Sequence, residues 1–263
     1  MPNNNSRSVR HSHSDILENR SRLLTQDSPF AIKEAYVQLR TNLLLSVAAK
    51  DSVDDSEQES RVFAFTSPSP SEGKSLTASN TAISFAMLGE RTLLIDCDMR
   101  KPSIHKLWGA DGKSGMSNLL TGVGESAMND VEDLPLTIIT AGSIPPNPSE
   151  LLSSQRFQNV VEVLKSQYRY IVIDTPPVGE VADAQIIAKY ADGMVLIVRS
   201  GETSQNSLAD AEERIARTGG KLCGIVVNDV NSKGGRYSYK YKYKYGYRHG
   251  YRYGYKSRNY EEN

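Results

Sequence analysis

The residues of this chain best suited to chemistry are a glycine, a lysine and a serine in one short stretch. Gly73, Lys74 and Ser75 occur in TSPSPSEGKSLTASN (66–80). At a helix start, backbone N–H groups and a lysine can meet phosphate oxygens, and a serine hydroxyl can ligate Mg²⁺. The leading glycine of the full G-x-x-x-x-G-K-[ST] pattern would fall at Pro68. The motif is therefore incomplete. Considered without the rest of the sequence, GKS is equally compatible with an ordinary helix start capped by serine.

Three carboxylates each follow an apolar run of sequence. LLIDCDMRKP places Asp96 and Asp98 after one run, and YIVIDTPP places Asp174 after another. Such acids can hold Mg²⁺ or its water ligands, or accept a proton from a nucleophile, because Mg²⁺ prefers hard oxygen ligands. One acid alone would be interpreted as a turn cap. Three acids together with the GKS sequence favour a Mg²⁺–nucleotide site.

The elements that must position these residues alternate between strand-like and helix-like patterns. From residue 61 the apolar runs are RVFAFTS, RTLLIDCD, LTIITAG, YRYIVIDTPP, GMVLIVRS and KLCGIVVNDV. Helical patterns lie near 74–88, 149–167, 181–190 and 204–218. This alternation predicts an α/β fold with a mostly parallel sheet covered by helices on both faces. Ligands bind such sheets at the carboxyl ends of the strands, which is where the acids and the GKS sequence fall.

Composition divides the chain into a polar N-terminal stretch, one domain and a basic tail. These are residues 1–27, 28–232 and 233–263. We expect the first and last segments to be flexible. Within the domain, 28–50 has apolar residues at helical spacing, with Ser28 as a possible N-cap and Pro29 at the first helical position. The acid-rich stretch 51–60 predicts a solvated loop.

The tail contains ten of the fourteen tyrosines, alternating with lysine, arginine and glycine. They are Tyr237, Tyr239, Tyr241, Tyr243, Tyr245, Tyr247, Tyr251, Tyr253, Tyr255 and Tyr260. Residues 233–263 carry nine Lys or Arg and two Glu, a net charge of +7, which leaves −7 on the rest of the neutral chain. This division favours contact between the tail and an acidic surface of the same or a neighbouring molecule. A polyanion-binding tail and a solvated low-complexity end are alternative interpretations.

The remaining composition bears on the cellular compartment. Cys97 and Cys223 lie in separate apolar runs and do not suggest a disulfide framework, which indicates a reducing cytoplasm. No stretch approaches the roughly 18 apolar residues of a membrane helix, and the N-terminus lacks the apolar core of a signal peptide. We therefore expect a cytoplasmic chain that reaches a membrane only through a partner.

The motifs in combination resemble one known family. SPSEGKS, LLIDCDMRKP and YIVIDTPP, with IPPNPSELL (144–152) and the tyrosine cluster, resemble the bacterial tyrosine kinases of the capsule and exopolysaccharide type. The resemblance extends from about residue 28 to the C-terminus, and its first three motifs correspond to Walker A, Walker A′ and Walker B. It implies a P-loop NTPase-like fold, ATP and Mg²⁺ as cofactors, and autophosphorylation of the tail, mainly between subunits.

The resemblance also implies roles for the nucleotide-binding residues. The phosphate loop would comprise Ser71, Glu72, Gly73, Lys74, Ser75 and Leu76. Lys74 would contact the β- and γ-phosphates, and Mg²⁺ would be held by Ser75, Asp98 and Asp174. Asn228 would lie on the adenine side.

Further roles concern catalysis and assembly. Asp96 and Asp98 would divide catalytic and metal-ordering functions, with Asp96 preferred as the base. A base is needed because a phenol with a pKa near 10 is only about 0.1% ionised at pH 7. Arg100 would lie near the phosphates or a subunit contact. Glu34 and Arg40 would belong to a subunit-contact helix.

Two departures from the family pattern are visible. Many relatives have Pro-Gly where this chain has Pro70 and Ser71, which alters the backbone approach to the phosphate. The contact helix of the family usually reads Glu-x-x-Arg-x-x-Arg, whereas Val37 stands at the central arginine here. Assembly into a ring is therefore less directly indicated than the active site.

The partners follow from the resemblance as well. They are a separate transmembrane activator or polysaccharide co-polymerase subunit, a cognate protein-tyrosine phosphatase and further copies of the chain. The activator would recruit the kinase to the inner face of the plasma membrane, and no nucleic acid is expected. The nearest alternative is a P-loop ATPase of the plasmid-partition or division-site type. Those proteins carry an additional lysine early in the loop, where this chain has Ser69.

Overall fold

One sheet of seven strands forms the centre of the described part of the chain. The computed structural model describes residues 20–48, 59–123 and 128–230. The strands are β1 (Arg61–Thr66), β2 (Thr92–Asp96), β3 (Met128–Asp130), β4 (Leu136–Ile139), β5 (Tyr170–Asp174), β6 (Gly193–Arg199) and β7 (Leu222–Asn228). Their order is β3-β4-β2-β5-β1-β6-β7, and every pair is parallel except β3 with β4. The predicted α/β fold with a mostly parallel sheet is therefore confirmed.

Helices cover both faces of this sheet. They are α1 (Phe30–Val47), α2 (Lys74–Ala86), α3 (Ile104–Trp108), α4 (Met116–Thr121), α5 (Pro148–Leu152), α6 (Gln155–Lys165), α7 (Asp183–Ile187) and α8 (Gln205–Ala216). One apolar core joins the sheet to α1, α2 and α3, and the other joins it to α4 through α8. Along β1, Val62 and Ala64 enter one core while Phe63 and Phe65 enter the other, as side-chain alternation in a strand requires.

The register of the sheet places the three central strand ends side by side. β5 lies between β1 and β2, and Asp174 at its end pairs with Phe65 of β1 and Asp96 of β2. Because all three strands run parallel, the loops that follow them leave the same edge of the sheet. The phosphate-loop sequence and the acids therefore converge, although about 100 residues separate the first from the last.

The first helix is shorter than the predicted span 28–50. It begins at Phe30, after Pro29, whose ψ of 140° is not helical. The prediction of Ser28 as N-cap is wrong, because its Oγ accepts a hydrogen bond from the backbone N of Thr25 (2.9 Å) and not from the helix. Pro29 thus precedes the helix instead of forming its first residue.

Other helical predictions also differ in their bounds. The predicted helix 149–167 is two helices, α5 and α6, because the chain turns at Ser153 and the Ser154 side chain caps α6 by accepting from Phe157 N (3.2 Å). The loop predicted after β2 contains α3 and α4, and the edge strand β3 was not predicted. Residues 1–19, 49–58, 124–127 and 231–263 lie outside the described residues, and with them most of the predicted acidic loop and the whole tail 233–263. Among the described helices, none has the length and apolarity to cross a bilayer.

Candidate active site

The loop after β1 is shaped by a buried glutamate. Glu72 accepts a hydrogen bond from the backbone N of Ser69 (2.8 Å) and another from the Thr203 hydroxyl. Its side chain therefore points into the protein and braces the loop. Ser71 has a φ of +64°, the left-handed region that glycine adopts most easily, at the position where many relatives were expected to carry glycine.

Gly73 is required by its contact with Asn228. Gly73 has a φ of +93°, and an added Cβ would lie 2.0 Å from Asn228 Nδ2. The same Nδ2 donates to the backbone O of Glu72 (3.0 Å). The end of β7 thus lies against the start of α2. The sequence alone gave no means of pairing these two residues.

Lys74 occupies the centre of the acidic strand ends. Its Nζ lies 2.9 Å from Asp98 Oδ2, 3.6 Å from Asp174 Oδ1 and 3.3 Å from Ser75 Oγ. Burial alone would lower the pKa of Lys74, but the negative charges of Asp174 and Asp98 outweigh it and the net shift is upward. Lys74 is therefore held as a cation among carboxylates at the edge of the sheet.

Asp174 is a buried carboxylate with spare coordination capacity. It is fully buried, and neither oxygen accepts a hydrogen bond from any residue in the described ranges. Burial raises the pKa of Asp174, and the nearby charge of Lys74 opposes that rise. Its nearest cation is Lys74 Nζ, 3.6 Å from Oδ1, so a buried carboxylate loosely paired with a lysine and beside a serine hydroxyl fits a cation site.

No group of three His, Cys, Asp or Glu side chains forms a metal cage in the described part of the chain. This is compatible with Mg²⁺, which usually keeps several waters and takes only one or two protein ligands besides substrate phosphates. Ser75 and Asp174 supply a hydroxyl and a carboxylate of that kind. The donor set present therefore fits Mg²⁺ better than a metal that needs a full protein cage.

Asp96 differs from Asp98 in its surroundings. Its Oδ1 accepts from Asp98 N (3.0 Å), and its Oδ2 accepts from Ser103 N (3.2 Å) and Ile104 N (3.1 Å). Burial and the charge of Asp174 raise the pKa of Asp96, and its exposed fraction is zero. Asp96 thus holds the backbone after β2 in place, whereas Asp98 faces the pocket.

Arg100, at the edge of the pocket, links three segments of the chain. Its Nε donates to Asp183 Oδ2 (2.8 Å), and its Nη2 donates to Asp183 Oδ1 (3.3 Å) and to Ser149 Oγ (2.9 Å). Ser149 also donates to Asp183. Asp183 is fully buried, so this fork of hydrogen bonds supplies its counter-charge. Sequence reasoning missed Asp183, and the only available signal was an acid beside the small residues of VADAQ.

A pocket of about 360 Å³ opens above these groups. Of the predicted site residues, those that line it are Ser71, Gly73, Lys74, Ser75, Leu76, Asp98 and Arg100. Glu72, Asp96, Asp174 and Asn228 lie behind or beside this lining. The far wall is formed by Pro176, Pro177, Glu180 and Val181, which follow β5 and were not predicted. The repeated prolines of IDTPP were the available signal for a rigid wall.

The charge around the pocket differs from the acidic face expected to attract the tail. Asp96, Asp98 and Asp174 are all buried, with exposed fractions of 0–3%. The exposed residues Arg100, Lys101 and Glu180 line the pocket, and Arg100 is paired with Asp183, so the exposed lining is of mixed charge and not acidic. The net charge of the whole chain gave no indication of this, because it does not distinguish buried from exposed groups.

The predicted contact-helix residues lie on α1. Arg40 donates to the backbone O of Ser84 and to its Oγ (3.3 Å), so its guanidinium packs on α2 of the same chain. Glu34 is half-buried. Val37, at the position where the family pattern has arginine, is 37% exposed. Whether these residues meet another subunit stays a prediction.

Fold and site together define a nucleotide-binding P-loop NTPase domain, and a family model described as an AAA domain matches residues 61–217. Tyrosine-protein kinase YwqD of Bacillus subtilis (strain 168) is 38% identical over 209 residues, covering 78% of this chain and 85% of that protein. The crystal structure of the chimerical protein CapA2B2 has a TM-score of 0.72 at 34% identity, covering 79% and 89% of the two chains. The kinase domain of Escherichia coli tyrosine kinase ETK has a TM-score of 0.69 at 28% identity, with 80% of each chain covered.

The chain therefore belongs to the bacterial protein-tyrosine kinases that regulate capsular and exopolysaccharide synthesis. The family predicted from the motifs is confirmed, and with it the enzyme class. The alternative of a partition-type ATPase is not favoured, because the relatives at 35–38% identity are named as tyrosine-protein kinases or, in one case, as a putative one.

Proposed function

We propose that this kinase transfers the γ-phosphoryl group of ATP to tyrosines of its own C-terminal tail, mainly between subunits. The observation that carries the proposal is the convergence of Lys74, Asp98 and Asp174 beneath the pocket. A cation between two carboxylates suits phosphoryl transfer, in which positioning and charge stabilisation supply most of the rate. The ten tail tyrosines are the natural acceptors, since glycine-containing sequence can reach a neighbouring subunit.

Lys74 and the backbone N–H groups around Gly73 would bind the β- and γ-phosphates. Phosphate oxygens compete with Asp98 for the ammonium group of Lys74, which lies at hydrogen-bond distance from Asp98. Ser71 and Leu76 line the same pocket and would border the phosphates. Asn228, whose amide lies against the loop backbone at Glu72, would take the adenine-side role that the family resemblance implies.

Ser75 and Asp174 would hold Mg²⁺, with Asp98 orienting its water ligands. When bound, Mg²⁺ offsets phosphate charge and favours departure of ADP. The burial of Asp174 supports this assignment, because its pairing with Lys74 at 3.6 Å leaves the carboxylate oxygens able to ligate a cation.

We assign the base to Asp98, in place of the earlier preference for Asp96. Asp98 lines the pocket, with its oxygens accepting from Lys74 Nζ and Lys101 N, whereas Asp96 is fully buried outside the pocket lining. In the reaction the tyrosine hydroxyl gives its proton to the Asp98 carboxylate as its oxygen bonds to the γ-phosphorus. The bond from that phosphorus to the β–γ bridging oxygen breaks, and ADP leaves with the electron pair.

The cellular context of the proposal includes other proteins. We infer a separate transmembrane activator, recruitment to the inner face of the plasma membrane, a cognate protein-tyrosine phosphatase and a homo-oligomeric ring. The solved relative described as the chimerical protein CapA2B2 supports a two-component arrangement. Glu34 and Arg40 on α1 remain the candidate contact residues.

Labelled ATP tests the reaction directly. The full chain, Lys74→Met and a chain truncated at residue 233 are each incubated with ATP, Mg²⁺ and the cytoplasmic part of the activator. We expect label on tyrosine in the full chain only. Label on tyrosine in Lys74→Met would show that the assigned site does not catalyse the transfer, and equal labelling of the truncated chain would exclude the tail as the main acceptor.

A further inference from the structure

A second concave surface adjoins the proposed active site and carries only cationic charge. This basic groove has a volume of about 580 Å³, and it shares Arg100, Lys101 and Ser103 with the lining of the active-site pocket. Its lining also contains Lys106 and Lys113, and it includes no aspartate or glutamate. A single-sign lining next to a phosphoryl-transfer site indicates an anionic ligand.

The groove lysines are free to bind such a ligand. Lys101, Lys106 and Lys113 are exposed, and none of their ammonium groups forms an ion pair or hydrogen bond with a residue in the described ranges. The acid nearest to Lys113 in sequence is Asp111, whose Oδ1 already accepts a hydrogen bond from the Lys113 backbone N (3.0 Å). Arg100, in contrast, is committed to Asp183.

Two further polar atoms in the groove lack partners. Ser103 Oγ and His105 Nδ1 are buried, and neither makes a hydrogen bond within the part of the chain that the structure describes. Both residues line the groove. Because both atoms are inaccessible to solvent, a ligand in the groove is bound through the exposed lysines and not through these two atoms.

The groove also offers apolar surface. Ile144 is 65% exposed, and Pro102 lies on the same lining. A ligand that carries both a phosphate and an aromatic ring would use the lysines for the first and these side chains for the second. The unmodified tail does not fit the groove, because its lysines and arginines would be repelled. Each phosphotyrosine adds a local charge of about −1.5 to −2 that the groove lysines can bind, even where the surrounding tail sequence stays basic.

We propose that the basic groove binds a phosphotyrosine of the tail while a neighbouring tail tyrosine occupies the active site. The proposal rests on the tail phosphorylation proposed above. Tail tyrosines recur at every second position from 237 to 247, and residues two apart in an extended chain lie about 6.7 Å from each other along the strand. The shared lining residues place the two sites close enough for one extended segment to reach both. The groove thus acts as a product-binding subsite that favours further phosphorylation of a tail already modified.

Peptide binding to the full chain tests the groove without turnover. The chain is treated with a phosphatase, which is then removed, and no ATP is added. The probes are fluorescent peptides of residues 237–245 that carry no phosphate, phosphotyrosine at position 241, or phosphoserine at that position. We expect the phosphotyrosyl peptide to bind about tenfold more tightly than the unmodified one, because a dianion meets several cations. We expect the phosphoserine peptide to be weaker than the phosphotyrosyl peptide.

The variant Lys106→Ala/Lys113→Ala should abolish most of this preference. Its matched control, Lys165→Ala/Lys189→Ala, removes the same charge outside the groove and should retain the preference. Equal binding of phosphorylated and unmodified peptides, retained preference in the groove variant, or equal affinity for phosphoserine would overturn the proposal. Because no ATP is present, the binding experiment does not depend on catalysis. The proposed function is tested separately by labelling of the tail, and absence of that label would refute it.

Discussion

Lys74 Nζ and Asp98 Oδ2 lie 2.9 Å apart, and they join the loop after β1 to the segment after β2 across the intervening strand β5. Asp174 ends that strand and lies 3.6 Å from the same ammonium group. One lysine therefore balances two acids that are buried at the edge of the sheet. The stability of this edge and its capacity to bind phosphate depend on the same side chain.

The buried acids should make stability depend on pH. Burial raises the pKa of Asp174, so the folded chain binds a proton there more readily than the unfolded chain. A carboxyl of this kind lowers the free energy of unfolding as pH rises above about 4. Asp174→Asn removes the group and should lessen this fall, as measured by urea denaturation at several pH values.

Asp210→Asn is the matched control for that experiment. Asp210 lies on α8 and pairs with Arg214 at the surface (2.7 Å), outside the site. An Asp174→Asn variant whose pH dependence equals that of the parent chain would contradict the assigned role of burial.

The left-handed backbone at Ser71 should be a source of strain. A residue other than glycine in this conformation costs about 1–2 kcal/mol. Replacing it with glycine removes that cost, but the gain is only partial because glycine also makes the unfolded chain more flexible. We expect Ser71→Gly to raise the free energy of unfolding by about 0.5–1 kcal/mol. Ser69→Gly, in the same loop but without a positive φ, should lower it. The prediction fails if both substitutions change stability in the same direction.

Gly73 should tolerate no side chain because of Asn228. Gly73→Ala combines a positive φ with a Cβ placed 2.0 Å from Asn228 Nδ2, so a loss of more than about 2 kcal/mol is expected. Gly89→Ala isolates the backbone cost, since Gly89 has a φ of +84° and no atom within 4 Å of an added Cβ. The double variant Gly73→Ala/Asn228→Ala should recover part of the loss in thermal denaturation. Equal losses at Gly73 and Gly89 would show that the contact with Asn228 is unimportant.

The Arg100–Asp183 pair should show strong coupling. Among the described residues, Arg100→Ala leaves the buried Asp183 carboxylate with the Ser149 hydroxyl as its side-chain partner. The expected loss is about 2–3 kcal/mol, because Arg100 is itself partly exposed. Asp183→Asn removes the charge that Arg100 balances, so the double variant should lose less than the sum of the single losses. Additive losses in a denaturation cycle would contradict the coupling.

The sequence was informative wherever a long element or a local motif carried the signal. Apolar runs such as YIVID mark strands buried on both faces, and the three acids stand at their ends as the parallel sheet requires. α3, α4 and β3 were not predicted because elements of three to six residues show no periodicity. The basic groove is formed by residues before and within α3, between α3 and α4, and after β4, so its charge was also not predicted.

Contacts between distant residues were beyond the reach of patterns. Arg100 and Asp183 are 83 positions apart, and Gly73 meets Asn228 across the sheet from β1 to β7. Asp96 and Asp98 are the same residue type two positions apart, and only the structure shows that Asp96 is buried at the end of β2 whereas Asp98 lines the pocket. The sequence therefore predicted which residues form the site, but not how their roles divide.

A mixing experiment tests the central claim most directly. The acceptor is full-length Lys74→Met, which keeps the tail but lacks the phosphate-binding lysine. It is incubated with labelled ATP, Mg²⁺ and the cytoplasmic part of the activator. The chain truncated at residue 233, which keeps Lys74 but lacks the tail, is either added or left out. We predict label on tail tyrosines of Lys74→Met only when the truncated chain is present. Label on Lys74→Met alone would contradict the site, and its absence from the mixture, while the full-length parent labels itself, would contradict transfer between subunits.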